Sequence, residues 1–145
     1  MFNAILMPID GTPLSYKPLD AALALARTHH ARLVFLSVAE PRLFNASDAE
    51  SAGTGAEAEQ HHVAEATASI EKAVAAAQEA QVPCEAAVGM SRIPSEAILA
   101  AAERYQCDII VMATRGRLGV LDTAFGESIT QEVLRKSPVP VLVFP

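Results

Sequence analysis

The stretch CDIIVMATRGRLGVLDTAFGES, residues 107–128, joins an apolar run to a glycine-containing segment and ends on a serine that can begin a helix. Its first seven residues, 107–113, predict a strand buried on both faces, because nearly all of them are apolar. A buried strand, a connection and then a helix form the repeating unit of a parallel α/β sheet. Repetition of this unit along the chain therefore decides the fold.

The unit does repeat. Apolar runs typical of strands cover residues 3–9, 31–40, 82–89, 107–113 and 139–145. Helical periodicity covers residues 15–30, 57–80, 94–106 and 128–136. This order predicts a single doubly wound α/β domain over residues 1–145, Rossmann-like, with a five-stranded, mainly parallel sheet and helices on both faces. A ligand site is then expected where the strand order reverses, at the carboxyl ends of the strands.

Several local features can be predicted as well. Ser15 is expected to cap the first helix, and residues 44–56 to form a loop, since they are small, polar and contain glycine. The third strand, 82–89, is interrupted early by Pro83, which suits a sheet edge. Cys84 and Cys107 are expected to begin strands as buried thiols. The apolar stripe of the long second helix is predicted to comprise Val63, Ala66, Ile70, Val74 and Ala77.

Composition excludes several classes of function. The net charge of −6, with 11 Lys and Arg in 145 residues, argues against nucleic acid as a partner, because phosphate contacts need a basic face. We expect no membrane span, since no apolar run is long enough, and no secretory leader at the N-terminus. Two widely spaced cysteines indicate no disulfide framework. These features together favour a cytoplasmic protein.

The glycine segment is a candidate phosphate site. Glycines let backbone N–H groups approach an anion, and a helix N-terminus adds a favourable dipole. Gly116, Gly119 and Gly126 precede the last helix, where Ser128 and Gln131 form a capping-box pattern. Arg115 and Arg117 could donate charge-assisted hydrogen bonds. The alternative is a simple turn, which the negative charges of Asp122 and Glu127 favour. Neither GxGxxG nor GxxxxGK[ST] is present.

Three segments, taken in order, resemble the universal stress protein family over the whole length of the chain. They are ILMPIDGTPLS at residues 5–15, CDIIVMATRGRLG at 107–119 and VLRKSPVPVLVFP at 133–145. Nucleotide-binding members of that family carry the motif G-x2-G-x9-G-[ST] at this place. Gly116 and Gly126 match its second and third glycines, whereas Ala113 and Glu127 occupy the first glycine and the hydroxyl position. A one-residue shift would let Ser128 supply that hydroxyl, with Thr130 as a second.

The resemblance implies that ATP, or AMP or ADP, binds with or without Mg²⁺. The adenine and ribose would contact Pro8, Ile9, Asp10 and Val38. Ribose and phosphates would lie along Met112, Ala113, Arg115, Gly116, Arg117 and Gly119. Backbone N–H groups of Gly126, Ser128 and Ile129 would hold the phosphate oxygens. The resemblance also implies a homodimer formed through the last strand and a role as a stress-response regulator.

Alternatives remain open at this stage. Asp10 could instead bond within its own turn. The departures at Ala113 and Glu127 favour a nucleotide-free interaction protein of the same fold, and a weak ATPase is a third reading. We predict no catalytic residues, since no nucleophile is paired with a base. The adjacent histidines at 29–30 and 61–62 point to different helix faces, so no metal site is predicted.

Overall fold

The computed structural model of the chain describes residues 1–39, 55–114 and 129–145, and of residues 55–62 it describes only the helical backbone. Strands and helices alternate as the sequence predicts. The elements are β1 (Ala4–Ile9), a short 3₁₀ helix (Pro13–Tyr16), α1 (Leu19–His29), β2 (Arg32–Ala39), α2 (Gly55–Glu79), β3 (Cys84–Met90), α3 (Pro94–Arg104), β4 (Ile109–Ala113), α4 (Ile129–Lys136) and β5 (Val141–Phe144).

The five strands form one sheet in the order β3-β2-β1-β4-β5, and every neighbouring pair is parallel. The chain first builds outward from β1 to β3, then crosses to the other side of β1 and continues to β5. The strand order therefore reverses between β1 and β4, which is where a doubly wound sheet opens a crevice. The predicted fold class is confirmed, and β3 lies at a sheet edge as its Pro83 suggested.

The sheet separates two hydrophobic cores. Side chains alternate along a strand, so Ile5 and Met7 of β1 face one way, whereas Leu6 faces the other. The first core includes buried residues of α1 and α2, and the second includes buried residues of α3 and α4. Both faces of the central strands are covered, which explains why these strands are almost continuously apolar in sequence.

Three helices end through a residue in the left-handed region, although none of these residues is glycine. His30, Gln81 and Gln106 have φ values of 54°, 57° and 52°. The following amide then reaches back five residues to a helix carbonyl, as Ala31 N does to Ala26 O at 2.9 Å. This is the Schellman pattern of helix termination, for which glycine is the usual residue. The sequence therefore lacks the usual signal for these three turns.

The start of the first helix differs from the prediction. α1 begins at Leu19, Pro18 occupies the N-cap position and no side chain caps the helix. Ser15 lies earlier, buried in the 3₁₀ helix, where its hydroxyl donates to the Thr12 carbonyl at 2.8 Å. The prediction that Ser15 caps α1 is wrong, because the extra 3₁₀ turn delays the helix past this serine.

The long helix α2 also departs from the expected limits and stripe. It begins at Gly55, inside the segment predicted as a loop, while residues 44–54 of that segment lie outside the described part of the chain. Ala66, Ile70 and Ala77 are buried as predicted, and Val74 is half-buried. Val63 is 39% exposed, so its place in the stripe is wrong. At this point the helix presents Val63 to solvent rather than to the sheet.

Candidate functional site

The candidate site lies where β1 and β4 end side by side. These strands pair in parallel, with Ile5 opposite Ile109 and Leu6 opposite Ile110. The same register carried to the strand ends brings Asp10, which follows β1, level with Thr114, which follows β4. The fold thus places the two predicted segments at one edge of the sheet, at the reversal of strand order.

The first wall of the site is the Asp10 turn, which consists of Asp10, Gly11 and Thr12. The Asp10 Oδ1 atom accepts two hydrogen bonds from Thr12, from the backbone N at 2.9 Å and from Oγ1 at 2.5 Å. Gly11 has a φ of 85°, a conformation that disfavours any residue with a Cβ. The Asp10 side chain is exposed, and Oδ2 makes no hydrogen bond within the described residues. One carboxylate oxygen therefore stabilises the turn while the other remains open to solvent.

The predicted adenine and ribose contacts are only partly accessible. Pro8 and Val38 are half-buried, and both point to the α3–α4 side of the sheet. Ile9 and Met112 are buried in the first and second cores, respectively. Because their side chains are committed to packing, Ile9 and Met112 can offer a ligand little beyond backbone atoms. Pro8, lacking an N–H, can offer only its carbonyl and ring.

The second wall is formed by the end of β4 and the start of α4. The Thr114 amide donates to the Phe144 carbonyl at 2.8 Å, which extends the β4–β5 pairing by one residue. Thr130, the predicted second hydroxyl, is buried and donates to the Ala113 carbonyl at 3.5 Å. Ile129 is exposed at the first position of α4. The hydroxyl of Thr130 thus ties the first turn of α4 to the end of β4.

Most of the predicted phosphate site falls in the glycine segment, residues 115–128. The predicted residues that lie outside the described part of the chain are Arg115, Gly116, Arg117, Gly119, Gly126 and Ser128. Glu127 and the proposed cap of α4 by Ser128 fall in the same gap. The described site therefore consists of its strand ends and the start of α4.

A polar cluster of Tyr16, Ser69 and Lys72 adjoins the site, between the 3₁₀ helix and α2. The cluster was not identified from the sequence. The Tyr16 hydroxyl donates to the Ser69 carbonyl at 2.5 Å, and the Lys72 ammonium lies 4.6 Å from the centre of the Tyr16 ring. Burial, and secondarily the charge of Asp10, raise the pKa of Tyr16, so the phenol stays protonated and can donate at neutral pH. The available signal in the sequence is Ser37, the one polar residue of β2 after Arg32, whose hydroxyl oxygen lies 3.2 Å from that of Ser69.

The two cysteines lie near the amino ends of β3 and β4, whereas the candidate site lies at the carboxyl ends of the strands. Cys84 starts β3 and is half-buried, whereas Cys107 is buried but precedes β4, which begins at Ile109. The predictions of a buried Cys84 and of a strand beginning at Cys107 are therefore wrong. Burial raises the pKa of Cys107 to about 11, with Arg32 opposing this shift and Asp108 and Glu85 adding to it. The Cys107 thiol is therefore neutral and unreactive at physiological pH.

Two open grooves lie away from this site, along the exposed edge strand β3. One, between α2 and β3, has a volume of about 420 Å³, and the other, between α3 and β3, about 350 Å³. Val88 borders both grooves. Neither is lined by a described residue of the predicted nucleotide site, so they give no support to that site.

Within residues 1–39, 55–114 and 129–145, no three His, Cys, Asp or Glu side chains are grouped as metal ligands would be. In that part of the chain, no helix combines the length and apolar character needed to cross a bilayer.

The fold and the strand ends define a doubly wound α/β protein whose strand order reverses between β1 and β4. The sequence model of the universal stress protein family matches residues 1–145. A universal stress protein of Thermus aquaticus is 34% identical over 143 residues, which make up 99% of this chain and 98% of that protein. The chain therefore belongs to the universal stress protein family.

Solved structures agree with this assignment. A universal stress protein family structure from Burkholderia pseudomallei has a TM-score of 0.79 at 24% identity, covering 99% of this chain and 96% of that one. A universal stress protein solved in complex with cAMP has a TM-score of 0.71 at 19% identity, covering 99% and 96%. An Arabidopsis thaliana family member solved with AMP bound has a TM-score of 0.71 at 16% identity, covering 98% and 90%. At these identities the likeness concerns the fold.

Proposed function

We propose that this protein binds an adenine nucleotide in the crevice between β1 and β4 and acts as a cytoplasmic regulator in a stress response. The observation that carries the proposal is the Asp10 turn at the reversal of strand order. Its Oδ1 atom is held by Thr12, while the exposed carboxylate can accept hydrogen bonds from a ribose diol. Family members of the same fold were solved with cAMP and AMP, which supports an adenine nucleotide as the ligand class.

The described residues support a division of roles within the site. The half-buried Val38, together with Pro8, offers apolar surface for a base, because flat rings gain from contact with partly buried carbon groups. The start of α4, tied to the end of β4 by Thr130, offers N–H groups and a helix dipole toward phosphate. We propose ATP as the ligand that occupies the whole site, and Mg²⁺ would neutralise part of the charge of its triphosphate. Met112, Ala113 and Ile129 would contribute backbone atoms.

A second candidate function is supported by Ala113. Nucleotide-binding relatives carry glycine at the position that Ala113 occupies, and its half-buried methyl group lies at the end of β4. A methyl group at this place reduces the space through which a ligand can approach the backbone. Without a nucleotide, a protein of this fold would act as a protein-interaction module, which binds its partners through its surface.

Calorimetric titration distinguishes these two functions. The full chain is titrated with AMP and with ATP, each with and without Mg²⁺, and thermal unfolding is followed in parallel. The proposal expects saturable heat and a rise in unfolding temperature that grows with ligand concentration. Absence of both at millimolar AMP and ATP would defeat nucleotide binding and leave the interaction module. Release of inorganic phosphate in the ATP samples would identify a weak ATPase.

We further propose that two copies of the chain associate through β5. This strand ends the sheet, and Leu142 on it is 42% exposed. An unpaired apolar edge strand is a site for pairing with another chain, and Leu134 of α4 adds exposed apolar surface nearby in sequence. A second copy joined at this edge would continue the sheet across both chains.

A further inference from the structure

Ser69 of α2 lies beside the Asp10 turn. A Cβ built on Gly11 would lie 3.4 Å from the Ser69 Cβ, so the gap between the turn and the helix has room for a methyl group and little more. Gly11 itself is held at a φ of 85°. A larger side chain at position 69 would therefore press on a backbone that has few other conformations available.

The same serine also contacts the end of β2. The Ser69 and Ser37 hydroxyl oxygens lie 3.2 Å apart, within hydrogen-bond distance, and the Ser69 hydroxyl also donates to the Ala66 carbonyl at 2.7 Å. Ser37 is buried, pairs in register with Ile9, and directly precedes Val38. Ser69 therefore lies between the Asp10 turn and the end of β2, the two segments that carry the proposed ribose and base contacts.

Tyr16 adds a third connection. Its hydroxyl donates to the Ser69 carbonyl, and its ring packs against the first core from the 3₁₀ helix that follows the Asp10 turn. The chain segment from Asp10 to Tyr16 therefore runs along α2, with Gly11 beside Ser69 at one end and the Tyr16 hydrogen bond at the other.

We propose that Ser69 is a positioning residue that sets the Asp10 turn relative to the end of β2, and so sets the spacing between the ribose and base contacts. The proposal rests on the proposed nucleotide site for its effect on affinity. Its structural part does not depend on a ligand, because the contacts are present in the protein alone. A small side chain with a hydroxyl is required at this position.

The test compares Ser69→Val with Ser69→Ala, using Thr67→Val as the matched control. Thr67 lies on the same helix and donates to the Val63 carbonyl at 2.8 Å, so its variant also removes an intrahelical hydroxyl bond. Two quantities are measured on the full-length chain. They are the amide hydrogen exchange rate of Thr12 without nucleotide, and the affinity for AMP by calorimetry.

Ser69→Ala is expected to speed Thr12 exchange and weaken AMP binding roughly three- to tenfold, the effect of losing one hydrogen bond. Ser69→Val should speed Thr12 exchange more, and weaken AMP binding more, than Ser69→Ala does, because the valine side chain also crowds Gly11. Thr67→Val should leave both within about twofold of wild type, the range usual for a surface change. Equal Thr12 exchange in wild type and Ser69→Val overturns the positioning role. Absence of AMP binding by wild type, with faster Thr12 exchange in Ser69→Val, instead overturns only the nucleotide site.

Discussion

At the scale of single residues, Asp10 reconciles two readings of the sequence that were alternatives. The carboxylate does bond within its own turn, through Oδ1 and Thr12. It nevertheless keeps an exposed face, since Oδ2 has no hydrogen bond within the described residues. A turn residue can therefore also be a ligand residue, because a carboxylate has two oxygens and about four acceptor sites.

Asp10→Asn is expected to weaken AMP binding by roughly ten- to a hundredfold. The amide keeps an acceptor oxygen for Thr12, but its NH2 group replaces Oδ2 and cannot accept a hydrogen bond from a ribose hydroxyl. A charge-assisted hydrogen bond of about 1.5–3 kcal/mol is therefore lost. Asp20→Asn, at an exposed position in the first turn of α1, makes the same chemical change away from the site and should leave the affinity unchanged. Calorimetry measures both. Equal affinities in wild type and Asp10→Asn would remove Asp10 from the site.

Cys107 gives the folded protein a pH-dependent stability. Burial raises its pKa from 9.0 to about 11, so between these values the unfolded chain loses the thiol proton and the folded chain keeps it. The free energy of unfolding should therefore fall as the pH rises from about 9 to about 11. The stabilisation from the protonated Cys107 thiol is fully present below pH 9 and is lost as the pH rises above its pKa in the folded protein, about 11. Urea unfolding at a series of pH values measures it.

Cys107→Ala is the comparison for that measurement. The variant lacks the thiol, so its free energy of unfolding should decline less steeply than that of wild type over the same alkaline range. Between pH 7 and 8 the two profiles should run parallel, since the thiol is protonated in both states there. Parallel profiles between pH 9 and 11 as well would show that Cys107 is not the titrating group.

At the scale of elements, helix α2 links the first core to the candidate site. Ile70, Ala73 and Ala77 bury one side of it against the sheet, and Ser69 lies beside the Asp10 turn. Its apolar stripe could be predicted from 3.6-residue periodicity for Ala66, Ile70 and Ala77. Periodicity failed at Val63, because a repeating pattern does not show how far along the helix the sheet extends.

Ile70→Ala should lower the free energy of unfolding by about 2–5 kcal/mol, since it removes a fully packed side chain and leaves a cavity. Val63→Ala, on the same helix, should change it by less than about 0.5 kcal/mol, because Val63 is exposed and belongs to neither hydrophobic core. Denaturant unfolding measures both variants. Similar losses for the two would mean that Val63 packs against the fold and that the helix is placed differently.

At the scale of the whole molecule, the sheet has two edges of different character. β3 is the longer edge, with seven residues and a groove on each side, whereas β5 has four residues. Both edges carry exposed apolar side chains, Val88 on β3 and Leu142 on β5. The proposed dimer uses the β5 edge, which leaves β3 on the outside of the assembly.

Leu142→Lys should therefore convert the proposed dimer to a monomer, because it replaces exposed apolar surface on the pairing strand with a charge, which opposes strand pairing. Val88→Lys places the same charge on the opposite edge at a similar exposure of 41% and should leave the dimer intact. Sedimentation equilibrium gives the mass of each. Dissociation by Val88→Lys but not by Leu142→Lys would move the interface to β3, and a monomeric wild type would remove the dimer altogether.

The general architecture followed from sequence for a physical reason. Strands buried on both faces must be apolar along their whole length, and helices packed on one side must be apolar on one stripe, so the alternation of these patterns is visible in the residues themselves. The start of α3 at Pro94 and the edge position of β3 after Pro83 could likewise be predicted, since proline restricts the backbone wherever it occurs.

The sequence by itself determined the order of strands and helices, most of the buried stripe of α2 and the placement of Asp10 at a strand end. Only the tertiary structure decided how those ends are arranged: the reversal between β1 and β4, the 3₁₀ turn that separates Ser15 from the start of α1, and the close approach of Ser69 to Gly11 and Ser37. Such contacts join residues distant in sequence, and their distances depend on how a helix packs on the sheet. Local patterns of hydrophobicity and turn chemistry contain no information about that packing distance.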